Sequence, residues 1–96
     1  MKHAMTNKIS MYEENPGGFD VRAYGETEKK KILEYMRSFD PYAVAGMVYD
    51  CKTGKKTKEE NVGFNDGLFY WSSQDIYHVE RYNASVSEAF MKMIVK

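Results

Sequence analysis

The two histidines and the single cysteine are the side chains of this sequence best suited to act as a base, a nucleophile or a metal ligand. His3 lies near the N-terminus, and His78 lies within a helical pattern, one turn from Asp75 and one turn from Tyr82. A zinc site needs three or four ligands, and no second His or Cys stands at a recognisable spacing from His78. We therefore expect His78 to be a surface or core-edge side chain, with a partner contact as the alternative.

Cys51 stands beside Lys52 at the tip of a predicted hairpin, with no catalytic motif around it. The G-x-S-x-G, G-x-G-x-x-G and P-loop spacings are missing as well, so acyl transfer and nucleotide binding have no motif support. One cysteine in 96 residues excludes an intramolecular disulfide, which is typical of a reducing cytoplasm. We expect a cytoplasmic protein without enzymatic activity, cofactor or metal.

Basic side chains cluster in the first predicted helix, at Lys29–Lys31, and in the central hairpin. The hairpin lysines are Lys52, Lys55, Lys56 and Lys58. They are the candidate nucleic-acid contacts of an alternative hypothesis, in which the protein is a nucleic-acid-associated regulator. However, 14 basic and 14 acidic residues cancel, whereas dedicated nucleic-acid binders usually carry a basic excess. Solvated faces and protection of a sheet edge are the preferred interpretation.

The most distinctive stretch runs from Asp66 to Tyr82 and is rich in aromatic residues. Because side chains alternate along a strand, some of its aromatics must face away from the main core. Trp, Tyr and Arg are the residues most enriched at interface hot spots. The candidate partner-binding residues are Tyr70, Trp71, Tyr77, His78, Arg81 and Tyr82. The alternative interpretation is ordinary packing of helices on a sheet.

Hydrophobic periodicity and turn residues predict an α+β fold with the element order β-β-α-β-β-β-α-α. The predicted sheet is mostly antiparallel, with four to five strands, one helix after the second strand and two short C-terminal helices. Residues 8–13 and 19–24 are expected to pair as a hairpin, with Phe19, Val21 and Ala23 facing inward. Residues 42–49 are apolar on both faces, which is typical of a central strand.

Turn-forming and helix-capping residues set several element boundaries in this prediction. Gly54 and Asn65–Gly67 suit hairpin turns, and Asn83 suits a left-handed helix C-cap. Ser72 with Asp75 has capping-box spacing, and Ser85 with Glu88 is expected to open the last helix.

The chain is expected to be one domain over residues 8–96, preceded by a poorly ordered leader or expression remnant at residues 1–7. No apolar run approaches the roughly 20 residues that a membrane span requires. Low net charge and a possible open sheet edge are compatible with a homodimer.

The aromatic stretch also carries a resemblance. The run D-G-L-F-Y-W-S-S, the later Y-H-V-E-R-Y-N and the final Phe90-to-Ile94 helix resemble the C-terminal part of small bacterial immunity proteins, which neutralise a polymorphic or contact-dependent toxin. The resemblance covers roughly the last third of the chain. It implies a cytosolic, non-enzymatic protein that binds another protein. A small-ligand-binding protein built around Tyr77 and His78 is a further alternative.

Overall fold

The computed structural model describes residues 1–6 and 19–95. The strand expected at residues 8–13 lies outside the described residues. The elements are β1 (Lys2–His3), α1 (Glu26–Met36), β2 (Ala43–Asp50), β3 (Lys55–Asn65), β4 (Phe69–Ser72), α2 (Ser73–Tyr82) and α3 (Glu88–Ile94). The strands form a four-stranded mixed sheet in the order β1-β4-β3-β2, so the predicted α+β class is confirmed.

The hairpin turns and helix ends follow local residue chemistry. Gly54 and Gly67 have φ angles of 72° and 94°, a left-handed region that glycine adopts without a steric penalty. Asn83, with φ of 58°, is the left-handed C-cap of α2, as predicted. The Asp75 carboxylate accepts the Ser72 N–H at 2.9 Å, which is one of the two hydrogen bonds of the predicted capping box.

The core is organised around Trp71, whose side chain is 1% exposed. Its indole N–H donates to the backbone oxygen of Met36 at 2.9 Å, and its ring lies 5.3 Å from that of Phe90. One side chain of β4 therefore ties α1 and α3 to the sheet. A buried indole has a single donor, and this hydrogen bond satisfies it.

The first residues are part of the fold and differ from the expected leader. The N–H groups of Lys2 and Ala4 donate to Leu68 and Tyr70 at 2.9 Å each, so β1 pairs in parallel with β4. Ala4 is fully buried, and Met5 is 5% exposed. A two-residue strand has no sequence signature, and this pairing satisfies backbone groups that β4 would otherwise present at a sheet edge.

Three further expectations were wrong. Residues 42–49 do not form a central strand, because β2 lies at the edge of the sheet and β3 takes the inner position. Residues 19–24 form no strand: Phe19 is buried, but Val21 is 60% exposed and makes only an isolated bridge to Ala84.

The third correction concerns the last helix, which is capped two residues later than expected. The Ser87 hydroxyl accepts the Phe90 N–H at 3.2 Å, whereas the Ser85 N–H is bonded to the backbone oxygen of Asp20. Ser85 is therefore held by the preceding loop. Among the described residues no helix has the length and apolarity that a bilayer span requires.

Candidate protein-binding surface

A buried aspartate organises the end of the molecule where the β2–β3 hairpin turns beside α2. Asp50 is the last residue of β2 and is 4% exposed. Its Oδ1 accepts the N–H groups of Lys52 and Thr53 at 2.8 and 3.0 Å. Its Oδ2 accepts the hydroxyls of Tyr77 and Tyr82, both at 2.6 Å. The carboxylate thus fixes the turn with one oxygen and helix α2 with the other.

These hydrogen bonds favour the ionised form of the Asp50 carboxyl group. Burial by itself would raise the pKa of Asp50, but hydrogen bonds from Tyr77, Tyr82 and the turn backbone lower that pKa well below its ordinary value. Burial and the bond to Asp50 raise the pKa of Tyr77 to about 12. The bond to Asp50 and burial also raise the pKa of Tyr82. At neutral pH the arrangement is a carboxylate held by two protonated tyrosines.

His78 lies behind this network and is fully buried. Its Nε2 lies 3.0 Å from the N–H of Cys51, so Nε2 must be the acceptor and therefore carries no proton. Its Nδ1 lies 2.7 Å from the backbone oxygen of Gln74 and donates to it. Burial lowers the pKa of His78, although that hydrogen bond and the nearby Asp50 and Asp75 charges oppose the shift. The neutral ring therefore links α2 to the hairpin through these two hydrogen bonds.

Gln74 supplies a second link between α2 and β2. Its side-chain oxygen accepts the Tyr49 N–H at 2.8 Å, and its side-chain nitrogen donates to the Tyr49 carbonyl at 2.6 Å. The amide thereby bonds both backbone groups of Tyr49, as a neighbouring strand would, and so satisfies buried polar groups of β2.

The structure divides the six predicted contact residues into separate groups. Trp71 and His78 are buried and have structural roles. Tyr70 is 39% exposed and packs at 4.9 Å against the ring of His3, on β4. Tyr77, Arg81 and Tyr82 come together on α2 around Asp50. Only this last group forms a continuous patch.

Two cations border the patch. The guanidinium carbon of Arg81 lies 5.8 Å from the centroid of the Tyr82 ring, and the Lys52 ammonium lies 5.6 Å from the same centroid. Arg81 is exposed over 62% of its side chain, and its Nε is 3.9 Å from Asp50. We call Lys52, Tyr77, Arg81 and Tyr82 the α2 rim. It presents the half-buried rings of Tyr77 and Tyr82, whose hydroxyls are held by the buried carboxylate, with both cationic groups close to the Tyr82 ring.

The hairpin lysines extend this positive end of the molecule. The four side chains are exposed, namely those of Lys52, Lys55, Lys56 and Lys58. Within the described part of the chain, none of their ammonium groups lies within 4 Å of a carboxylate, whereas Arg37 and Glu80 form an ion pair at 2.8 Å elsewhere. Ion pairing among the described residues therefore does not neutralise these four lysines.

The sequence interpretation named the tyrosines but missed Asp50, which holds them. An Asp at the start of a hairpin turn, two and three residues before free backbone N–H groups, is a recognisable Asx-turn signal. Asp66 repeats the device in the next turn: its Oδ1 accepts the N–H groups of Leu68 and Phe69, and its Oδ2 accepts the Tyr35 hydroxyl at 2.6 Å. The signal was present in both turns.

Two negative findings complete the description. Across residues 1–6 and 19–95, no group of three or more His, Cys, Asp and Glu side chains is placed to hold a metal ion. Comparison with protein-family models, with curated proteins and with solved structures gave no match.

Proposed function

We propose that the protein is a small binding module without enzymatic activity, and that it contacts another protein through the α2 rim. The observation that supports this is the exposed pair of Arg81 and Lys52 around tyrosines that Asp50 already holds in place. Ordering side chains on binding costs free energy, and rings fixed in advance avoid much of that cost. Rigid tyrosines flanked by arginine have the composition of interface hot spots.

The charges of the α2 rim define the chemistry of the partner. A surface that complements Lys52 and Arg81 carries carboxylates, with apolar groups to cover the Tyr77 and Tyr82 rings. An immunity protein that occludes an acidic region of a cognate toxin is the specific form of this proposal. It rests on the α2 rim together with the C-terminal resemblance.

The test is co-expression of the tagged chain with the products of its neighbouring genes. We expect one of them to co-purify, and cells that express it to survive only in the presence of this chain. If the chain purifies alone and protects no cell from its neighbours, the immunity proposal is wrong.

A nucleic-acid-associated regulator is the second candidate, favoured by the exposed hairpin lysines, whose ammonium groups form no ion pair among the described residues. It requires binding to DNA or RNA that weakens steeply as salt is added, because phosphate contacts release counterions. An absence of any mobility shift at low salt would remove it. Small-ligand binding around His78 has less support, since the ring is fully buried and both its nitrogens contact backbone groups.

A further inference from the structure

Among residues 1–6 and 19–95, no strand pairs with the outer edge of β2. In the part of the chain that the structure describes, β2 pairs with β3 alone, and residues 42–47 are all exposed. The exposed fractions are 58% for Tyr42, 65% for Val44 and 38% for Met47. Backbone groups on such an edge can pair with another strand.

This edge lacks protection by charged side chains. Edge strands commonly carry lysine or other charges that prevent pairing with a further chain, yet no residue from Tyr42 to Tyr49 is charged. The lysines lie on β3, one strand further in. A bulge interrupts β2 at Gly46, with φ of 78° and a register shift between Val44 and Met47. The regular open edge is therefore residues 42–45.

We propose that a second copy of the chain covers this edge, with residues 42–45 of each copy paired in antiparallel orientation. In a symmetric pair, each residue lies opposite a residue of the same short segment in the other copy. A charged segment would therefore face like charge, which is destabilising. Residues 42–45 are Tyr, Ala and Val only, so they avoid this repulsion. Antiparallel pairing also keeps the two copies of the adjacent Asp40 at opposite ends of the ladder.

The charge of the whole chain points to the same occupant. A formal net charge of zero gives two copies no long-range repulsion to overcome. The Tyr42 and Val44 side chains supply apolar surface beside the ladder. Because the paired segment is short, the contact is small, and we expect a reversible dimer whose population rises with concentration. The dimer does not depend on the proposed function of the α2 rim.

The test is sedimentation equilibrium of the full chain over a range of concentrations. We expect the mass to rise towards twice the 11.2 kDa of one chain. Val44→Lys places two ammonium groups close together in the ladder and should weaken association by about tenfold or more. Val44→Thr, which is neutral and also β-branched, should still form the dimer. Circular dichroism verifies that both variants are folded.

Amide hydrogen exchange provides a second measurement that does not rely on a variant. We expect the β2 amides that turn away from β3 to become more protected as the wild-type concentration rises. The proposal is wrong if the chain sediments as one copy at every concentration, or if Val44→Lys dimerises as the wild type does. It is also wrong if β2 protection is independent of concentration, as it would be if another segment of the same chain covered the edge. Arg81→Glu should leave the dimer unchanged, which separates this result from failure of the proposed function.

Discussion

At the scale of single residues, two aspartates connect the hairpin turns to the helices, Asp50 from a buried position and Asp66 from a half-buried one. Asp50 and Asp66 each give one oxygen to two backbone N–H groups and the other to tyrosine hydroxyls. Hydrogen bonds to a charged acceptor are stronger than neutral ones, so these carboxylates compensate for their own burial. The same bonds lower the pKa of Asp66 against the effect of its burial.

Asp50→Asn is expected to lower the free energy of unfolding by about 2–3 kcal/mol, because an amide has one acceptor oxygen and cannot satisfy donors on both sides. Urea denaturation at neutral pH measures the change. Asp20→Asn is the matched control, since Asp20 is exposed and its hydrogen bond with the described residues, from the Ser85 N–H, is to its backbone oxygen. Equal stabilities for the two variants would contradict the role given to Asp50.

His78 makes stability depend on pH. Its folded-state pKa is below its ordinary value, so the unfolded chain takes up the proton more readily. The contribution is complete above the ordinary histidine pKa of 6.5 and is lost as pH falls through the folded-state value. Burial disfavours the charged ring and sets this direction, and an imidazolium could not accept the Cys51 N–H.

We therefore expect the wild type to lose more stability than His78→Gln as the pH is lowered from about 7.5 to about 5, the range in which histidine titrates. Urea denaturation at several pH values gives both slopes. Parallel slopes for wild type and His78→Gln would show that His78 is not the group responsible.

At the scale of elements, the sequence predicted what local chemistry determines. The turns at Gly54 and Gly67 and the Asn83 cap depend on a few neighbouring residues, and all three are where they were expected. The predicted position of β2 was wrong because a buried central strand and an exposed edge strand can have the same apolar sequence pattern. Only long-range pairing, which a sequence pattern does not encode, distinguishes the two.

The candidate site was predictable to a similar extent. Residue types selected Tyr77, Arg81 and Tyr82, and the structure brings these three together. Composition could not separate them from Trp71 and His78, which are equally typical of interfaces but are buried. Which face an aromatic side chain occupies depends on helix packing against the sheet, and this was the missing information.

Strand β1 provides an element-scale prediction. Ala4→Glu should lower the free energy of unfolding by about 3 kcal/mol or more, because it forces a charge into a fully buried position next to β4. Lys2→Glu, at an exposed position of β1 two residues earlier, should change stability little. Thermal or urea denaturation distinguishes the two. A harmless Ala4→Glu would mean that the first residues are not part of the core.

At the scale of the whole molecule, a net charge of zero conceals a local cluster of positive charge. Lys52, Lys55, Lys56 and Lys58 gather on the hairpin, whereas α1 carries three lysines and three glutamates that balance one another. Total charge therefore underestimates what one end of the molecule can attract. That end also carries the α2 rim, so positive charge and rigid tyrosines form one surface.

The most direct test of partner binding through the α2 rim compares two charge-reversal variants for their affinity for the co-expressed partner. Arg81→Glu should weaken binding by about tenfold or more, since truncating or reversing a hot-spot arginine commonly costs over 1.4 kcal/mol. Lys31→Glu makes the same change in total charge at an exposed position of α1 and should bind as the wild type does. Calorimetric titration measures both affinities. Wild-type affinity for Arg81→Glu, or an equal loss for both variants, would contradict binding through the α2 rim.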